Sequence, residues 1–294
     1  MSAMRLKIPA LALLLVLAWA VQADEVRWPQ TVESADGIPI AFEVIGNGGE
    51  PALVFIHGWS CDGRYWREQV AHFAGKHQVV VIDLAGHGHS GLGRERYSVA
   101  AFGQDVRAVV DAVGAEQVIL VGHSMGGPVA VAATQAMPER VIGIVGVDTF
   151  QDIGGTISQE EFDALVAPMR ADFRQGAAAF VSQMLVEETD RGLREWIVAD
   201  MSAAPPEVAV SAMEEMLTDT LSGRSRLAFD GLDIPIVAIN ADLWPTNTEG
   251  NRRHIGSFEA VILEGTDHFL QMGEPESFNR ELERVIASMV KQPR

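Results

Sequence analysis

Short apolar runs alternate with amphipathic segments along most of this chain, and that alternation limits the folds open to it. The runs are rich in Val, Ile and Leu, as in Val79 to Ile82 and Val118 to Val121. Between them, segments such as Val99 to Val113 carry apolar residues at helical spacing. Strands that alternate with helices form a mostly parallel sheet whose faces are covered by helices. The sequence therefore predicts an α/β fold.

Strands and core helices are predicted over most of the chain, except in one long central stretch. The predicted strands are residues 38–45, 52–56, 79–82, 118–121, 142–147, 234–239 and 260–263. The predicted core helices are residues 65–74, 99–113 and 125–137. From 151 to 229 the alternation stops, and Phe162, Leu165 and Met169 follow helical spacing instead. We therefore expect a core of residues 24–150 and 230–294, with a helical cap inserted at 151–229 above the carboxyl ends of the strands, where ligands bind.

The first 23 residues differ in character from the rest of the chain. Arg5 and Lys7 precede an apolar run from Ile8 to Val21, and Ala23 ends a small-residue cleavage site. This pattern is typical of a secretory signal peptide, and the run is short for a membrane span. We expect cleavage after Ala23, export to the periplasm or the medium, and a mature chain without stable membrane insertion. An uncleaved N-terminal anchor is the alternative.

Composition excludes some partners and leaves others open. The 294 residues are 48% hydrophobic, enough for a sizeable core, and carry a formal net charge of −18. Such an acidic chain is a poor partner for nucleic acids and anionic membrane surfaces. The single cysteine, Cys61, has no partner for an internal disulfide, and we expect it to be a bystander. Nothing in the sequence indicates the oligomeric state.

The pentapeptide Gly122-His123-Ser124-Met125-Gly126 directly follows a buried-strand run. A G-x-S-x-G pattern between a strand and a helix is typical of a nucleophile elbow, in which a tight, strained turn exposes the serine hydroxyl. Small residues at the two ends of the pattern leave room for this turn. The chain has 28 glycines, so the pattern alone also fits an ordinary glycine-rich turn. Its place after a strand favours Ser124 as a nucleophile.

A serine nucleophile needs a base and an acid, and the later strand ends provide candidates for both. His268 follows the last predicted strand and is the expected base. Asp242 follows the preceding predicted strand and is the expected acid, while Asp148, one predicted strand earlier, is its rival. Asp267 adjoins the histidine, where a bond to the far ring nitrogen is awkward, so we expect it to cap the loop.

An oxyanion formed at Ser124 needs two backbone N–H donors. Met125 directly follows the nucleophile and supplies one of them. The second is expected from Trp59, in the loop His57-Gly58-Trp59-Ser60 after the strand at 52–56. Gly58 would let this backbone approach the substrate closely. His57 is expected to hold loop backbone rather than act as the base.

In these motifs and in their order along the chain, the sequence resembles the α/β-hydrolase superfamily from about Val32 to Val290. The stretch from Asp83 to Gly91 is similar to the aspartate–glycine loop that follows the fourth strand of this family. The resemblance implies a mostly parallel central sheet flanked by helices, with loop-fixing roles for Asp83, His87 and His89. Two histidines two positions apart with one aspartate make a poor zinc pattern, so we expect no metal and no cofactor.

The resemblance also narrows the chemistry. Family members that act as haloalkane dehalogenases or epoxide hydrolases have aspartate at the elbow, whereas this chain has Ser124. The resemblance therefore implies a serine hydrolase acting on a small-molecule carboxylic ester or lactone. A C–C bond hydrolase, an acyltransferase with the same triad, and a non-catalytic ligand-binding member remain alternatives.

Overall fold

The computed structural model describes residues 29–291, so the predicted signal peptide lies outside the described residues. Within that range, eight strands form one sheet in the order β1-β2-β4-β3-β5-β6-β7-β8. β2 pairs antiparallel with β1 on one side and with β4 on the other. All the other neighbouring pairs in this order, from β4–β3 to β7–β8, are parallel. The strands are β1 Gln30–Glu33, β2 Pro39–Ile45, β3 Ala52–Ile56, β4 Val79–Ile82, β5 Val118–His123, β6 Val141–Val147, β7 Ile236–Ala241 and β8 Phe258–Leu263. The predicted α/β class with a mostly parallel sheet is confirmed.

The central parallel strands are buried on both faces, because the helices that connect them cover the sheet. Every residue of β3 and β4 is buried, and both strands are built almost entirely from aliphatic residues. Such continuous apolar runs fit strands covered by helices on both sides. The sequence analysis missed β1, whose four residues are mostly exposed at the edge of the sheet. Its polar composition gives no strand periodicity, and pairing with β2 keeps it extended.

Two apolar layers flank the sheet. On one face, Phe73 of α1 and Phe278 and Leu282 of α11 pack against side chains of β3 and β5. The opposite face of the sheet packs against α2 and α3. The buried side chains of these two helices belong to the same apolar cluster as those of the helices between β6 and β7. The core helices are α1 Arg67–Phe73, preceded by a 3₁₀ turn at Gly63–Trp66, α2 Val99–Val113, α3 Gly126–Ala136, α9 Thr248–Arg252, α10 Leu270–Gly273 and α11 Pro275–Val290.

A helical cap joins β6 to β7. In the described chain this connection holds five helices and no strand: α4 Gln159–Ala171, α5 Phe173–Ser182, α6 Arg191–Met201, α7 Pro206–Leu221 and α8 Arg224–Leu227. Ser158 begins α4 with a reciprocal capping box to Glu161. Val166 and Met169 are buried on the inner face of α4, in agreement with its helical spacing.

The cap is fixed to the core by polar contacts as well as by packing. Asp200 in α6 accepts hydrogen bonds from Arg64 at 2.6 Å and from the Tyr65 hydroxyl at 3.1 Å. On the other side, Arg96 pairs with Glu215 in α7. Between residues 29 and 291, no helix is both long and apolar enough to cross a membrane.

Candidate active site

The turn from β5 to α3 holds Ser124 in an unusual backbone conformation. Ser124 has a φ of 52°, in the left-handed region that non-glycine residues rarely adopt. A Cβ atom at Gly122 would lie 2.2 Å from the Gly126 carbonyl oxygen, and one at Gly126 would lie 2.4 Å from the Ile56 oxygen. Neither backbone contact can relax by moving a side chain. Both glycines are therefore required by the close approach of three chain segments, and the turn has the geometry of a nucleophile elbow.

His268 lies in the loop after β8 and is almost fully buried. Its Nδ1 lies 2.5 Å from Oδ2 of Asp148, a distance that fits an N–H donated to the carboxylate. Donation from Nδ1 leaves Nε2 without a proton in the neutral ring, and Nε2 is then free to accept one. The histidine therefore has the tautomer and the partner that a general base requires.

The expected pairing of Asp242 with His268 is wrong. Asp242 instead accepts a hydrogen bond from the backbone N–H of Gly265, at 2.9 Å, and so holds the start of the histidine loop. Asp148 is placed by its backbone, which has a φ of 42°, and its second oxygen accepts the Ala241 N–H at 2.9 Å. β6 lies between β5, which precedes Ser124, and β7. Asp148, directly after β6, can therefore reach His268 as readily as Asp242, after β7.

Two backbone N–H groups are left without partners next to the serine. Trp59 and Met125 donate no backbone hydrogen bond to any residue in the described part of the chain. A Cβ atom on Gly58 would lie only 3.3 Å from the Ser124 Cβ, so the loop after β3 passes directly beside the nucleophile. Trp59 and Met125, the predicted oxyanion donors, are both buried residues, and their N–H groups have no partner between residues 29 and 291.

His123 is a supporting residue that the sequence analysis missed. Its Nε2 lies 2.8 Å from the backbone oxygen of His268, and the two rings are 4.7 Å apart between centroids. Because His123 directly precedes Ser124, this contact fixes the histidine loop beside the nucleophile. Burial lowers the pKa of His123 well below its usual value, and the nearby His268 adds to this. The position of His123 inside the pentapeptide indicates that it lies at the site, but nothing in the sequence indicates that it contacts the His268 backbone.

Contacts from the cap to both catalytic loops were also missed. The Trp59 indole N–H donates to the Ala209 oxygen of α7 at 2.7 Å, and its ring meets Phe173 and Phe180 edge-on. At the other loop, the His268 N–H donates to the Met184 oxygen at 3.1 Å. The cap therefore holds the side chain of Trp59 and the backbone of His268.

The other polar side chains near the site form hydrogen bonds to loop backbone, as predicted. His57 donates from Nδ1 to the Gly58 oxygen and accepts the Leu84 N–H at Nε2, which leaves no nitrogen for catalysis. Asp83 accepts from the backbone of Gly63 and of His89. His87 faces the Ala85 oxygen. Asp267 accepts the Phe269 N–H.

Cys61 is buried, and its thiol donates to the Trp59 oxygen at 3.3 Å. Burial raises the pKa of this thiol well above its usual value, so the thiol stays protonated. This environment agrees with the predicted role of a bystander. Across residues 29–291, no three His, Cys, Asp or Glu side chains are grouped so that they could hold a metal ion.

Aromatic rings surround the histidine. Trp244 and Phe269 lie 5.6 and 5.2 Å from the His268 ring, both nearly edge-on. Trp244 is 37% exposed, whereas Phe269 is fully buried. Trp244 therefore borders the solvent side of the site, and the two apolar rings flank the buried His268–Asp148 pair.

Comparison with known proteins agrees with this geometry. The model of the alpha/beta hydrolase fold family matches residues 51–203, and the chain belongs to that family. It is 36% identical over 115 residues to an uncharacterized protein of Mycobacterium tuberculosis, a match that covers 38% of this chain and 33% of that protein. The chain thus spans a third of that relative.

Two further matches cover most of both chains. Over 259 residues the chain is 23% identical to 3-oxoadipate enol-lactonase 2 of Acinetobacter baylyi, which covers 86% of this chain and 95% of the relative. A thermophilic esterase from Thermogutta terrifontis superposes with a TM-score of 0.76 at 22% identity, over 90% of this chain and 99% of the esterase. At this identity the likeness shows the fold alone.

The buried His87 makes stability depend on pH. Burial is the main cause that lowers its pKa to about 3, whereas an unfolded histidine has a pKa of about 6.5. Between these values the unfolded chain binds a proton that the folded chain does not, so the free energy of unfolding decreases as the pH falls below about 6.5. Between pH 7 and pH 5, we expect the free energy of unfolding to decrease by about 2 kcal/mol less in His87→Gln than in wild type.

Urea unfolding at several pH values measures this difference. His254→Gln, at an exposed histidine, is the matched control. The same pH slope in wild type and His87→Gln would contradict a neutral, buried His87.

Proposed function

We propose that this protein is a serine hydrolase that cleaves a small-molecule carboxylic ester or lactone through an acyl-enzyme intermediate. The observation that carries the proposal is the strained turn at Ser124, where the preceding His123 contacts the loop of the His268–Asp148 pair and two backbone N–H groups have no partner among residues 29–291. A nucleophile, an oriented base and an oxyanion site are the three parts that acyl transfer needs. All three meet at the carboxyl ends of β3, β5, β6 and β8.

Each residue then has a defined task. Ser124 Oγ attacks the acyl carbonyl while its proton passes to His268 Nε2, and Asp148 stabilises the resulting imidazolium. The N–H groups of Trp59 and Met125 bind the oxyanion. When the tetrahedral intermediate collapses, the proton on His268 goes to the leaving alkoxide. A water molecule then gives a proton to His268 and attacks the acyl-enzyme. When this second tetrahedral intermediate collapses, His268 returns the proton to Ser124 Oγ and the carboxylic acid leaves.

Two considerations support an ester or lactone as the substrate. The chain is similar over most of its length to an enol-lactonase, and its fold matches that of an esterase. The rings of Trp244 and Phe269 beside His268 also suit an uncharged, partly apolar substrate. Serine at the elbow argues against the aspartate-dependent branches of the family.

We expect Ser124 to react with a fluorophosphonate probe, because the base and the oxyanion donors activate its hydroxyl. Mass spectrometry of the digested protein should find the adduct on the peptide that contains Ser124. The Ser124→Ala variant, which keeps the fold, should give no adduct. Absence of labelling in the folded wild type would count against the proposed nucleophile.

A matched pair of variants tests the identity of the acid. Asp148→Asn should lower kcat for a p-nitrophenyl ester by about 10³- to 10⁴-fold, because an amide does not stabilise the imidazolium and favours the wrong tautomer. Asp242→Asn should keep kcat within about tenfold of wild type, because it weakens only one loop hydrogen bond, worth about 1 kcal/mol. The reverse ranking would restore Asp242 as the acid.

Export is the remaining part of the proposal, and it rests on the basic start, apolar run and small-residue site within the first 23 residues. We expect the mature protein from a Gram-negative expression host to begin at Asp24 and to appear in the periplasmic or extracellular fraction. N-terminal sequencing of the fractionated protein measures both. A cytoplasmic protein that begins near Met1 would contradict export.

A further inference from the structure

A cavity of about 320 Å³ opens between the cap and α3. Its walls come from the start of α2, one side of α3, the loop after β6, the end of α7 and the α8 segment. Ser124, His268 and Trp59 do not line this cavity. The proposed reaction therefore does not account for this cavity.

The interior of the cavity is apolar and aromatic. Phe150 and Phe229 meet edge-on, with ring centroids 5.4 Å apart, and Leu217 and Val131 complete the buried surface around them. Within residues 29–291, three charged side chains line the cavity. Asp219 and Arg224 form an ion pair at 2.7 Å, and the Asp152 carboxylate, which accepts the Gly154 N–H, disfavours an anion. This lining favours an uncharged ligand over an anion or a cation.

One wall is held in place by a buried amide. Asn251 in α9 is fully buried; its Nδ2 donates to the Phe150 oxygen at 2.6 Å, and its Oδ1 accepts the Ile153 N–H at 2.8 Å. Phe150 has a φ of 61°, a costly conformation for a bulky residue. Backbone strain of this kind persists only where surrounding contacts enforce it, and it is concentrated at ligand sites and other functional positions. Asn251 thus fixes the segment that presents Phe150 and Ile153 to the cavity.

We infer that this cavity is a second binding site, separate from the Ser124 site, for a small, uncharged and mainly apolar molecule. Its volume is near the lower end of the range for small-molecule pockets, about 300–1,000 Å³, which suits a molecule of one or two rings and is too small for a folded partner. Burial of apolar surface against Phe150 and Phe229 provides the affinity. The inference does not depend on the proposed hydrolysis.

The test uses N-phenyl-1-naphthylamine, an uncharged two-part aromatic probe whose fluorescence rises in apolar surroundings. Wild type and Ser124→Ala should both bind one probe molecule per chain with the same Kd. Ala228→Phe places a ring in the cavity lining and should raise the Kd at least tenfold. Leu227→Phe is the matched control. Leu227 is next to Ala228 in sequence, is 53% exposed and does not line the cavity, so this variant should keep the wild-type Kd.

A second lining variant guards against a folding defect. Ser225→Phe enters the same cavity from α8 and should also raise the Kd at least tenfold. Circular dichroism shows which variants retain the fold. Lack of probe binding by wild type, or an unchanged Kd in a folded lining variant, would overturn the inference. Weaker binding in Ser124→Ala than in wild type would place the probe at the serine and would also overturn it.

Discussion

The close approach of backbone at the β5–α3 turn is the constraint on which the site depends. Gly122 faces the Gly126 carbonyl, and Gly126 faces the carbonyl of Ile56 at the end of β3. These contacts leave no room for a Cβ atom, and they force Ser124 to a positive φ. The same approach brings the loop of Trp59 against the serine. One steric constraint therefore brings the proposed nucleophile and the expected oxyanion donors together.

Hydrogen bonds between loops then fix the remaining parts around that turn. His123 holds the backbone of the histidine loop, and Asp148 holds the ring of His268. The cap contributes contacts of its own, from Ala209 to the Trp59 indole and from Met184 to the His268 backbone. Since both contacts reach the loops of Trp59 and His268, the cap helps to position the proposed base and oxyanion site.

Local pattern was enough to predict the tight turn at Ser124 and the position of His268 after the last strand, because a strand end followed by a turn is encoded by adjacent residues. The choice between Asp148 and Asp242 was not encoded in this way. Both follow parallel strands near His268, and a backbone φ of 42° together with the Ala241 N–H decides between them. The partners of His123 and Trp59 are 145 and 150 positions away in sequence, so no local signal could identify them.

The decisive measurement is a crystal structure of the protein after reaction with a phosphonate ester. We expect a covalent bond to Ser124 Oγ, with the phosphoryl oxygen about 2.7–3.1 Å from the backbone nitrogens of Trp59 and Met125. His268 Nδ1 should remain bonded to Asp148. A phosphonate attached elsewhere, or a phosphoryl oxygen turned away from both nitrogens, would contradict the proposed active site.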